Sequence, residues 1–417
     1  MLLFFYRMGF WLASPLLFLW ILAESLVEGR KVWQRIGLGL PQPAGRKRIW
    51  LHASSVGEVN VLNLLVPCFQ KEFPDAEIIV STFTSAGRKR AEAIFNALQP
   101  EIQVFYLPLD LWGVSEGALN RLSPSLIVLT ETELWPQLLA ASAKRKLPVF
   151  LANGSLSEKS ARRYQKVRSV FKAGIPAFQK LFVQAERHKT LFEKLGIPAA
   201  RIEVVGQTKY DFLWNAGGVR PPAKLASFFF WVAGSTRPGE EEKILDTHRL
   251  LSGKFPNLKL IVAPRHLERL PEIEHLLSAS GFTFKRTSQE LDCQTPVFLL
   301  DEMGGLVPAY AGAQAAFVGG TLAPFGGHNL LEPLSVGTPV IFGSSVESVK
   351  ETADVLAKTT IARSVAGPEE LAEAVGFFLQ RKLSRWEVRQ AAQAAFAPWG
   401  GVAEKTVSKI RQQPHPL

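Results

Sequence analysis

The chain has 417 residues, 47% of them hydrophobic and 20% charged, which is enough for two or three domains with large cores and excludes a disordered protein. Its 48 Lys and Arg residues against 37 Asp and Glu residues give a net charge of +11, which favours an anionic partner such as nucleic acid, a phospholipid surface or a phosphorylated substrate. Because the sequence carries no DNA- or RNA-binding signature and no basic–aromatic stripe, we expect no nucleic acid among the partners.

The most apolar part of the chain is its N-terminus, MLLFFYRMGFWLASPLLFLWILAES. Met8–Ala23 is shorter than the ~20 residues that cross a bilayer comfortably, but Leu2–Tyr6 extends it if Arg7 reaches the headgroups. We therefore expect residues 1–28 to form a single transmembrane anchor helix. A cleaved signal peptide and a buried core helix are the alternatives; Ile21, three residues back from the candidate cleavage site, disfavours the signal peptide.

Basic residues on one side of this segment predict its orientation. Arg7 precedes most of the apolar run, whereas the residues that follow it include Arg30, Lys31, Arg35, Arg46, Lys47 and Arg48. By the positive-inside rule the body of the protein then lies in the cytoplasm, with these charges on anionic headgroups.

Short apolar runs alternate with longer amphipathic stretches after residue 48. The runs are almost continuously apolar, which is typical of parallel strands buried on both faces. The first series of predicted strands is Ile49–Ala53, Glu77–Thr82, Val104–Leu107, Ser125–Thr130, Pro148–Ala152, Lys180–Gln184 and Glu203–Gly206. The second series is Phe228–Gly234, Leu258–Ala263, Phe282–Lys285, Val297–Leu300, Ala316–Gly319, Pro339–Phe342 and Thr360–Arg363.

The two series predict two doubly wound, Rossmann-like α/β domains that face each other across a cleft. We expect the first domain over residues 29–210 and the second over 226–400. Residues 211–225 are rich in Gly and Pro and predict a linker, and residues 401–417 predict a C-terminal helix and tail. Ligands of such sheets bind at the carboxyl ends of the strands, so the loops that leave the strands are the candidate sites.

Three glutamates lie in such loops of the first predicted domain. Glu58 is in HASSVGE, and Glu131 and Glu133 are in TETELWP. We expect these carboxylates to lie close together and to raise one another's pKa. Paired acids at strand ends indicate acid–base chemistry. The alternative is that they are ordinary helix-start residues, which the helix dipole stabilises.

The loop VAGSTRPGEEE of the second domain is a candidate phosphate site. Gly234 allows a tight turn, Ser235 or Thr236 can cap the next helix, and Glu240–Glu242 complement its dipole. Free N–H groups at such a helix start bind phosphate. The alternative is a well-capped helix without a ligand.

A second candidate is LIVAPRHLERL, in which Pro264 and Arg265 end a strand. The planar guanidinium of Arg265 can bond two phosphate oxygens there, and the alternative is a solvated arginine. In FVGGTLAPFGGHNLLEPLSVGTPVIFG, we expect a helix to begin near His328-Asn329, with Glu332 one turn in, where a carboxylate can accept both ribose hydroxyls. This pattern looks like the nucleotide-sugar site of GT-B glycosyltransferases; the alternative is a glycine-rich turn.

Other common sites have no signature in the sequence. It contains no GxxxxGK[ST], no GxGxxG after a strand and no GxSxG, which disfavours ATPases, dinucleotide enzymes and α/β-hydrolases. Cys68 and Cys293 are far apart and the histidines form no metal-binding pattern, so we predict neither a disulfide framework nor a metal.

Together the segments resemble the 3-deoxy-D-manno-octulosonic acid (Kdo) transferases of lipopolysaccharide assembly. The motifs, in the family's order, are HxxSVGE, TETELWP, LANGSLSEKS, GSTRPGEE, PRHLER, FVGGTL and GGHNLLEP. The resemblance implies a GT-B fold and an inverting, metal-independent enzyme that transfers Kdo from CMP-Kdo to a phosphorylated lipid A precursor of the lipid IVA type. It implies action at the cytosolic face of the inner membrane and no cofactor, since CMP-Kdo is the donor substrate.

The resemblance also implies site residues. Glu58 matches the family's catalytic base, and the paired acids add Glu131. Ser235 and Thr236 come from the phosphate-binding pattern, and the contacts to CMP implied by the resemblance are Pro264, Arg265, Met303, Gly304, Gly305, Asn329, Leu330, Leu331 and Glu332. Two residues depart from the family pattern. Gly305 stands where a Glu is frequent and leaves only backbone contact, and Ser155 replaces the usual Arg and its anion contact.

The position of Glu58 poses a question about its basicity. The dipole stabilises an anion in a helix's first turn by about 0.3–1 kcal/mol, which weakens it as a base. A sugar hydroxyl becomes acidic only as the new C–O bond forms, however, so a well-placed weak base suffices. Two other functions fit the same residues: a membrane-associated GT-B transferase that uses a UDP-sugar and a lipid acceptor, and a non-catalytic nucleotide-sugar binding protein.

Overall fold

A computed structural model of the chain describes residues 2–98, 101–215 and 218–414. The chain divides into two compact units: unit 1 comprises Met1–Lys209 and Gly401–Leu417, and unit 2 comprises Tyr210–Gly400. The end of the chain thus returns to the first unit. Residue 1 of the predicted anchor, residues 216 and 217 of the predicted linker and residues 415–417 of the predicted tail lie outside the described residues.

Unit 1 is built on one parallel sheet with helices between the strands. Its strands are β1 (Arg48–Ala53), β2 (Glu77–Thr82), β3 (Gln103–Tyr106), β4 (Leu126–Thr130), β5 (Val149–Gly154), β6 (Phe178–Val183) and β7 (Ile202–Val204). Its helices before residue 209 are α1 (Leu2–Glu28), α2 (Val56–Glu72), α3 (Ser85–Leu98), α4 (Val114–Leu122), α5 (Pro136–Lys144), α6 (Glu158–Lys166), α7 (Arg168–Phe171) and α8 (Glu186–Lys194).

The strand order in unit 1 is β3-β2-β1-β4-β5-β6-β7. Every residue of β1 and of β4 is buried, because helices cover both faces of the sheet. The order reverses between β1 and β4, so the loops that follow these two strands border the crevice where such sheets bind ligands.

Unit 2 repeats this plan. Its helices are α9 (Phe212–Asn215), α10 (Glu241–Ser252), α11 (Leu270–Ala279), α12 (Leu306–Gly312), α13 (Leu331–Ser335), α14 (Lys350–Leu356), α15 (Pro368–Arg381) and α16 (Arg385–Phe396). Its strands are β8 (Phe229–Thr236), β9 (Leu258–Pro264), β10 (Phe284–Arg286), β11 (Val297–Leu299), β12 (Ala316–Val318), β13 (Val340–Phe342) and β14 (Ala362–Ser364). They are parallel in the order β10-β11-β9-β8-β12-β13-β14, which reverses between β8 and β12.

The last helix, α17 (Val402–Arg411), packs on α2 in unit 1. Val407 and Ile410 are fully buried there. Surface ion pairs join the same two helices, with Lys71 Nζ 2.7 Å from a Glu404 carboxylate oxygen. Such exposed pairs contribute little, so apolar burial provides most of the stabilisation.

The predicted parallel α/β sheets are confirmed, and each predicted strand overlaps an observed one. The predicted turn at Gly234 is wrong, because β8 continues to Thr236. Gly234 is needed for packing instead, since a Cβ there would overlap the Tyr310 hydroxyl. Ser235 takes the left-handed conformation, with φ +57°.

The helix expected near His328-Asn329 begins later, at Leu331. Gly326 and Gly327 have φ values of +80° and +86°, which are incompatible with a helix. The Leu331 N–H then donates to Asn329 Oδ1 at 3.1 Å, so this asparagine precedes the helix and satisfies one of its free donors.

The predicted anchor forms helix α1, but its last turns are fixed to unit 1. Arg35 donates through Nε and Nη2 to both carboxylate oxygens of Glu24, each at 3.0 Å, and Tyr106 donates to Glu28 at 3.3 Å. Across the residues that the structure describes, no helix has the length and hydropathy needed to cross a bilayer. The predicted transmembrane anchor is therefore not supported.

The basic residues expected on the headgroups divide into two groups. Arg35 and Arg48 are buried, and Arg48 pairs with Glu77 at 2.8 Å. Arg30 and Lys47 are exposed. For the buried arginines the prediction of headgroup contact is wrong, because internal carboxylates hold them.

Candidate active site

The glutamates predicted from the strand ends of unit 1 lie together at the carboxyl edge of β1 and β4. Glu58 is in the first turn of α2, and Glu131 and Glu133 are in the loop between β4 and α5. We call Glu58, Glu131 and Glu133 the carboxylate cluster. Their charges act on one another's pKa, as expected for groups at one edge of a sheet.

Glu58 is almost fully buried and is held by neighbouring donors. Its Oε2 accepts from Ser54 N and Thr130 Oγ1, both at 3.0 Å, and its Oε1 accepts from Ser55 Oγ at 2.9 Å. Ser55 is also the N-cap of α2. Glu58 therefore does occupy the helix-start position that was the alternative to a catalytic role, but its carboxylate also faces the cluster.

The pKa of Glu58 is raised. Burial is the largest cause and the charge of Glu133 the next, and together they outweigh the hydrogen bonds from Ser54 and Ser55 and the charge of His52. The net effect offsets the loss of basicity expected from the helix dipole.

Glu131 has the most perturbed carboxyl of the cluster. Burial first, and then the charges of Glu58 and Glu133, raise its pKa to about 7. Its backbone is left-handed, with φ +53°, which is a strained conformation of the kind found at functional sites. Ser155, where the family pattern has an Arg, lies beside it, and the Ser155 N–H donates to Glu131 O at 3.4 Å.

The pKa of Glu133 is lowered instead, because of His52, a residue that was not among the candidates predicted from the sequence. Burial acts to raise the pKa of Glu133, but hydrogen bonds from His52, Ser54 and Trp135 and the charge of His52 lower it overall. His52 lies inside β1 and is fully buried. The signal for it was a histidine that ends the apolar run from Ile49 to Leu51 and is the first residue of HASSVGE.

The cluster can therefore exchange protons near neutral pH. Glu133 stays ionised beside His52, whereas Glu58 and Glu131 have raised pKa values. Carboxyls whose environments push their pKa values apart are typical of acid–base sites.

In unit 2 the ends of β8 and β9 bring several predicted residues together. The Arg265 N–H donates to Thr236 O at 3.1 Å, and the Arg265 side chain is exposed. Thr236 is fully buried, and its hydroxyl donates to Glu241 at 2.8 Å instead of capping α10. Pro264 is the last residue of β9, and Ser235 is half-buried.

The other predicted nucleotide contacts lie after β11 and around α13. Asn329 Nδ2 lies 3.4 Å from Glu332 Oε1, so these two side chains are neighbours. Leu330 and Leu331 are buried in the apolar core of unit 2, which leaves only their backbone for a ligand. Met303 is 85% exposed.

Gly304 and Gly305 precede α12. Gly304 has φ +85°, a conformation that favours glycine. A Cβ on Gly305 would lie 3.0 Å from Leu300 Cδ1, so a larger residue would require its neighbour to shift. This close packing is consistent with a glycine at a position where the family pattern frequently has a Glu.

Glu240 has a role that its predicted position at a helix start did not reveal. It is fully buried and links the β8–α10 turn to the glycine-rich loop after β12. Its carboxylate accepts backbone hydrogen bonds from Arg237, Gly320, Thr321, Leu322 and Ala323 at 2.7–3.2 Å.

Sequence relatives identify the family. Residues 30–212 match the family described as 3-deoxy-D-manno-octulosonic-acid transferase (kdotransferase). A 3-deoxy-D-manno-octulosonic acid transferase of Haemophilus influenzae is 34% identical over 397 residues, covering 92% of each chain. The chain belongs to the Kdo transferase family. A second Kdo transferase, from Chlamydia muridarum, is 34% identical over 361 residues, covering 84% of this chain and 83% of that one.

Solved structures support the fold of this Kdo transferase family member. A glycosyltransferase from Rickettsia africae has a TM-score of 0.56 at 11% identity and covers 88% of this chain and 98% of its own. The UDP-GlcNAc 2-epimerase from Neisseria meningitidis has a TM-score of 0.56 at 14% identity and covers 87% of this chain and 98% of its own. At these identities the likeness shows the GT-B-like fold alone.

Proposed function

We propose that this member of the Kdo transferase family transfers Kdo from CMP-Kdo to a phosphorylated lipid A precursor of the lipid IVA type in lipopolysaccharide core biosynthesis. The observation that carries the proposal is the carboxylate cluster at the crevice of unit 1, in which Glu58 and Glu131 have raised pKa values. Family membership supplies the class of sugar.

Glu58 is proposed as the general base. As the acceptor oxygen bonds to the anomeric carbon of Kdo with inversion, its proton passes to a Glu58 carboxylate oxygen. The bond from the anomeric carbon to the phosphate oxygen breaks, and its electron pair leaves with CMP. The hydrogen bonds from Ser54, Ser55 and Thr130 keep Glu58 in one position, and positioning is the larger part of such catalysis.

Glu131 is proposed as the second catalytic carboxyl. With a pKa of about 7, it is partly protonated at neutral pH and can share the proton that Glu58 accepts. Glu133, which His52 keeps ionised, maintains the negative charge that raises the basicity of the other two. The cluster thus supplies a base despite the helix dipole.

Unit 2 is proposed to hold the donor's nucleotide. Arg265, which follows β9, suits the anionic phosphate, and Ser235 and Thr236 at the end of β8 are proposed to contact the same group. Glu332 beside Asn329 suits the ribose hydroxyls. The remaining contacts are proposed to come from Pro264 and from the backbone of Met303, Gly304, Gly305, Leu330 and Leu331.

We propose that no metal or other cofactor takes part. The positive charge that stabilises the leaving phosphate comes from arginine and backbone N–H groups. Turnover that persists in excess EDTA supports this proposal, and loss of turnover that Mg²⁺ restores contradicts it.

Membrane attachment at the cytosolic face of the inner membrane is proposed through the surface of α1. Leu16, Leu26 and Val27 on this helix are 72–89% exposed, and exposed apolar patches beside basic residues suit a bilayer surface. Flotation with vesicles that contain anionic phospholipid measures this attachment. Replacing Leu26 and Val27 with Ser should reduce the fraction of protein that floats with the vesicles. Leu250→Ser, a substitution of the same kind at an exposed leucine of unit 2, should leave that fraction unchanged.

The decisive experiment is incubation of the protein with CMP-Kdo and a lipid A precursor, followed by mass analysis of the product. Addition of Kdo supports the proposal, and the mass gives the number of Kdo units. The alternative, a UDP-sugar transferase, predicts protection of the protein against heat by UDP and not by CMP. That result, with no Kdo product, would overturn the proposal.

A further inference from the structure

Two nitrogen atoms near the glycine-rich loop of unit 2 are buried without hydrogen-bond partners. They are Nε of Arg237, which follows β8, and Nε2 of His328, which follows β12; no described residue supplies a partner to either atom. Native proteins seldom leave buried polar atoms unpaired, and each such atom needs an explanation. Here both atoms belong to side chains that recognise anions.

The two side chains belong to one assembly. The guanidinium of Arg237 lies over the ring of Phe325, with Cζ 4.6 Å from the ring centroid. A Cβ on Gly320 would lie 3.1 Å from His328 Nε2 and 3.6 Å from Phe325 Cβ, so this glycine lies against both residues. We call Arg237, Phe325 and His328 the arginine–histidine assembly.

Glu240 and Glu241, which follow Arg237 closely in the chain, are already engaged. Glu240 accepts from the Arg237 backbone N–H at 2.9 Å and from the backbone of the glycine-rich loop. Glu241 pairs with Arg269 at 2.7 Å. Among the described residues, neither Arg237 nor His328 forms an ion pair with a carboxylate, which leaves the positive charge of Arg237 available to a ligand.

The local potential is positive. Burial, followed by the charges of Arg265, Arg237 and His266, lowers the pKa of His328 to about 4. His328 is therefore neutral at pH 7, and in one tautomer its Nε2 carries a hydrogen that it can donate. Arg237 contributes a fixed charge and a planar set of donors.

We propose that Arg237 and His328 form an anion subsite of unit 2 that binds an oxyanion of the donor. Arg237 and His328 Nε2 donate to its oxygens, and Phe325 orients the guanidinium through a cation–π contact. The inference rests on the proposed function, since CMP-Kdo carries two groups of this chemistry, the phosphodiester and the sugar carboxylate. It adds residues that the sequence motifs did not assign to the donor.

Calorimetric titration of Arg237→Gln with cytidine, CMP and CMP-Kdo tests the subsite. A charge-assisted hydrogen bond lost from a buried site lowers affinity by about 10- to 100-fold. If the subsite binds the phosphate, CMP and CMP-Kdo should weaken equally; if it binds the sugar carboxylate, only CMP-Kdo should weaken. Cytidine, which has neither group, should bind Arg237→Gln as it binds the unaltered protein.

Arg363→Gln is the matched control. Arg363 also lies over a phenylalanine of unit 2, with Cζ 3.8 Å from the Phe377 ring centroid, but it belongs to β14 at the edge of the sheet. The Arg363→Gln variant should bind cytidine, CMP and CMP-Kdo as tightly as the unaltered protein does. Arg237→Lys and His328→Gln provide milder changes and should each weaken the same ligand as Arg237→Gln, by a smaller factor.

Three results would overturn the subsite: unchanged affinity of Arg237→Gln for both CMP and CMP-Kdo, equal weakening of cytidine, or equal weakening by Arg363→Gln. Failure of the proposed function gives a different result. If the unaltered protein prefers uridine nucleotides, the Kdo assignment fails. The subsite then stands if Arg237→Gln weakens UDP but not uridine, and falls if it weakens neither.

Discussion

His52 Nε2 lies 3.5 Å from Glu133 Oε2, and on the other side of the ring its Nδ1 lies 2.8 Å from Ser81 Oγ. This histidine connects β1 and β2 to the loop after β4. Because it lowers the pKa of Glu133, it keeps a negative charge beside Glu58 and Glu131. His52 is thus a positioning residue for the carboxylate cluster.

Replacing His52 with Gln should move the pH dependence of turnover. Without the imidazole, the pKa values of Glu58 and Glu133 both rise, because the charge of His52 lowers both of them in the unaltered protein. The acid limb of kcat/KM should therefore shift to higher pH, by up to about one unit. A pH profile checks this; a lower kcat with an unmoved acid limb would assign His52 a purely structural role.

Glu58→Gln should abolish most turnover while leaving the nucleotide site intact. Loss of a general base typically lowers the rate by about 10²- to 10⁴-fold, whereas CMP affinity, which we propose depends on unit 2, should stay the same. The measurements are kcat with CMP-Kdo and calorimetric titration with CMP.

Glu158→Gln provides the matched control for Glu58. Glu158 also lies in a first helical turn, that of α6, after a serine N-cap, Ser157, but it is exposed. The Glu158→Gln variant should therefore keep full activity. Near-normal turnover of Glu58→Gln, or an equal loss in Glu158→Gln, would show that Glu58 only begins the helix.

Glu131 should make the protein less stable as pH rises. Its pKa is about 7 in the folded protein against an ordinary value of 4.5, so the unfolded chain ionises first and folding weakens between these values. Glu131→Gln should therefore be more stable than the unaltered protein above pH 7, by on the order of 1 kcal/mol after allowance for solvent screening.

Denaturant unfolding of both proteins at pH 4 and pH 8 measures this difference. The gain should disappear at pH 4, where the carboxyl is neutral in both states. A gain of equal size at both pH values would contradict the raised pKa of Glu131. In the pH profile of turnover, the same variant should lack the acid limb that we propose arises from Glu131.

Glu240→Gln should destabilise unit 2. An amide replaces a carboxylate that accepts backbone hydrogen bonds from the β8–α10 turn and from the loop that begins at Gly320, and its NH₂ group faces N–H donors. We expect a loss of about 2–4 kcal/mol in the free energy of unfolding. Glu242→Gln, on the exposed side of α10, is the control and should change stability little.

Thermal unfolding with and without CMP checks the role of Glu240. The variant should lose both stability and the stabilisation that CMP provides, because the loop next to the proposed nucleotide contacts is no longer held. Wild-type stability of Glu240→Gln would show that other contacts hold the loop.

Local sequence patterns predicted much of the fold. A run such as Ile49–Ala53 is apolar throughout because the strand is buried on both faces, and that property is visible in a few consecutive residues. The positions of Glu58 and Glu131 could be predicted for a similar reason, since loops that leave parallel strands meet at one edge. These signals need no knowledge of distant segments.

Patterns that depend on distant partners were not predicted. Gly234 looked like a turn residue, but its packing against Tyr310 explains it, and the apolar N-terminus looked like a bilayer span although Arg35 and Tyr106 hold the end of α1.

The amino-acid sequence by itself determined the parallel α/β architecture, the Kdo transferase motifs and which loops carry the carboxylates and the candidate nucleotide contacts. Only the tertiary structure decided that His52 pairs with Glu133, that Glu240 holds the glycine-rich loop and that Arg237 approaches Phe325. Each of these contacts joins segments separated along the chain, and the burial that shifts a pKa or commits a charge exists only once the chain has folded.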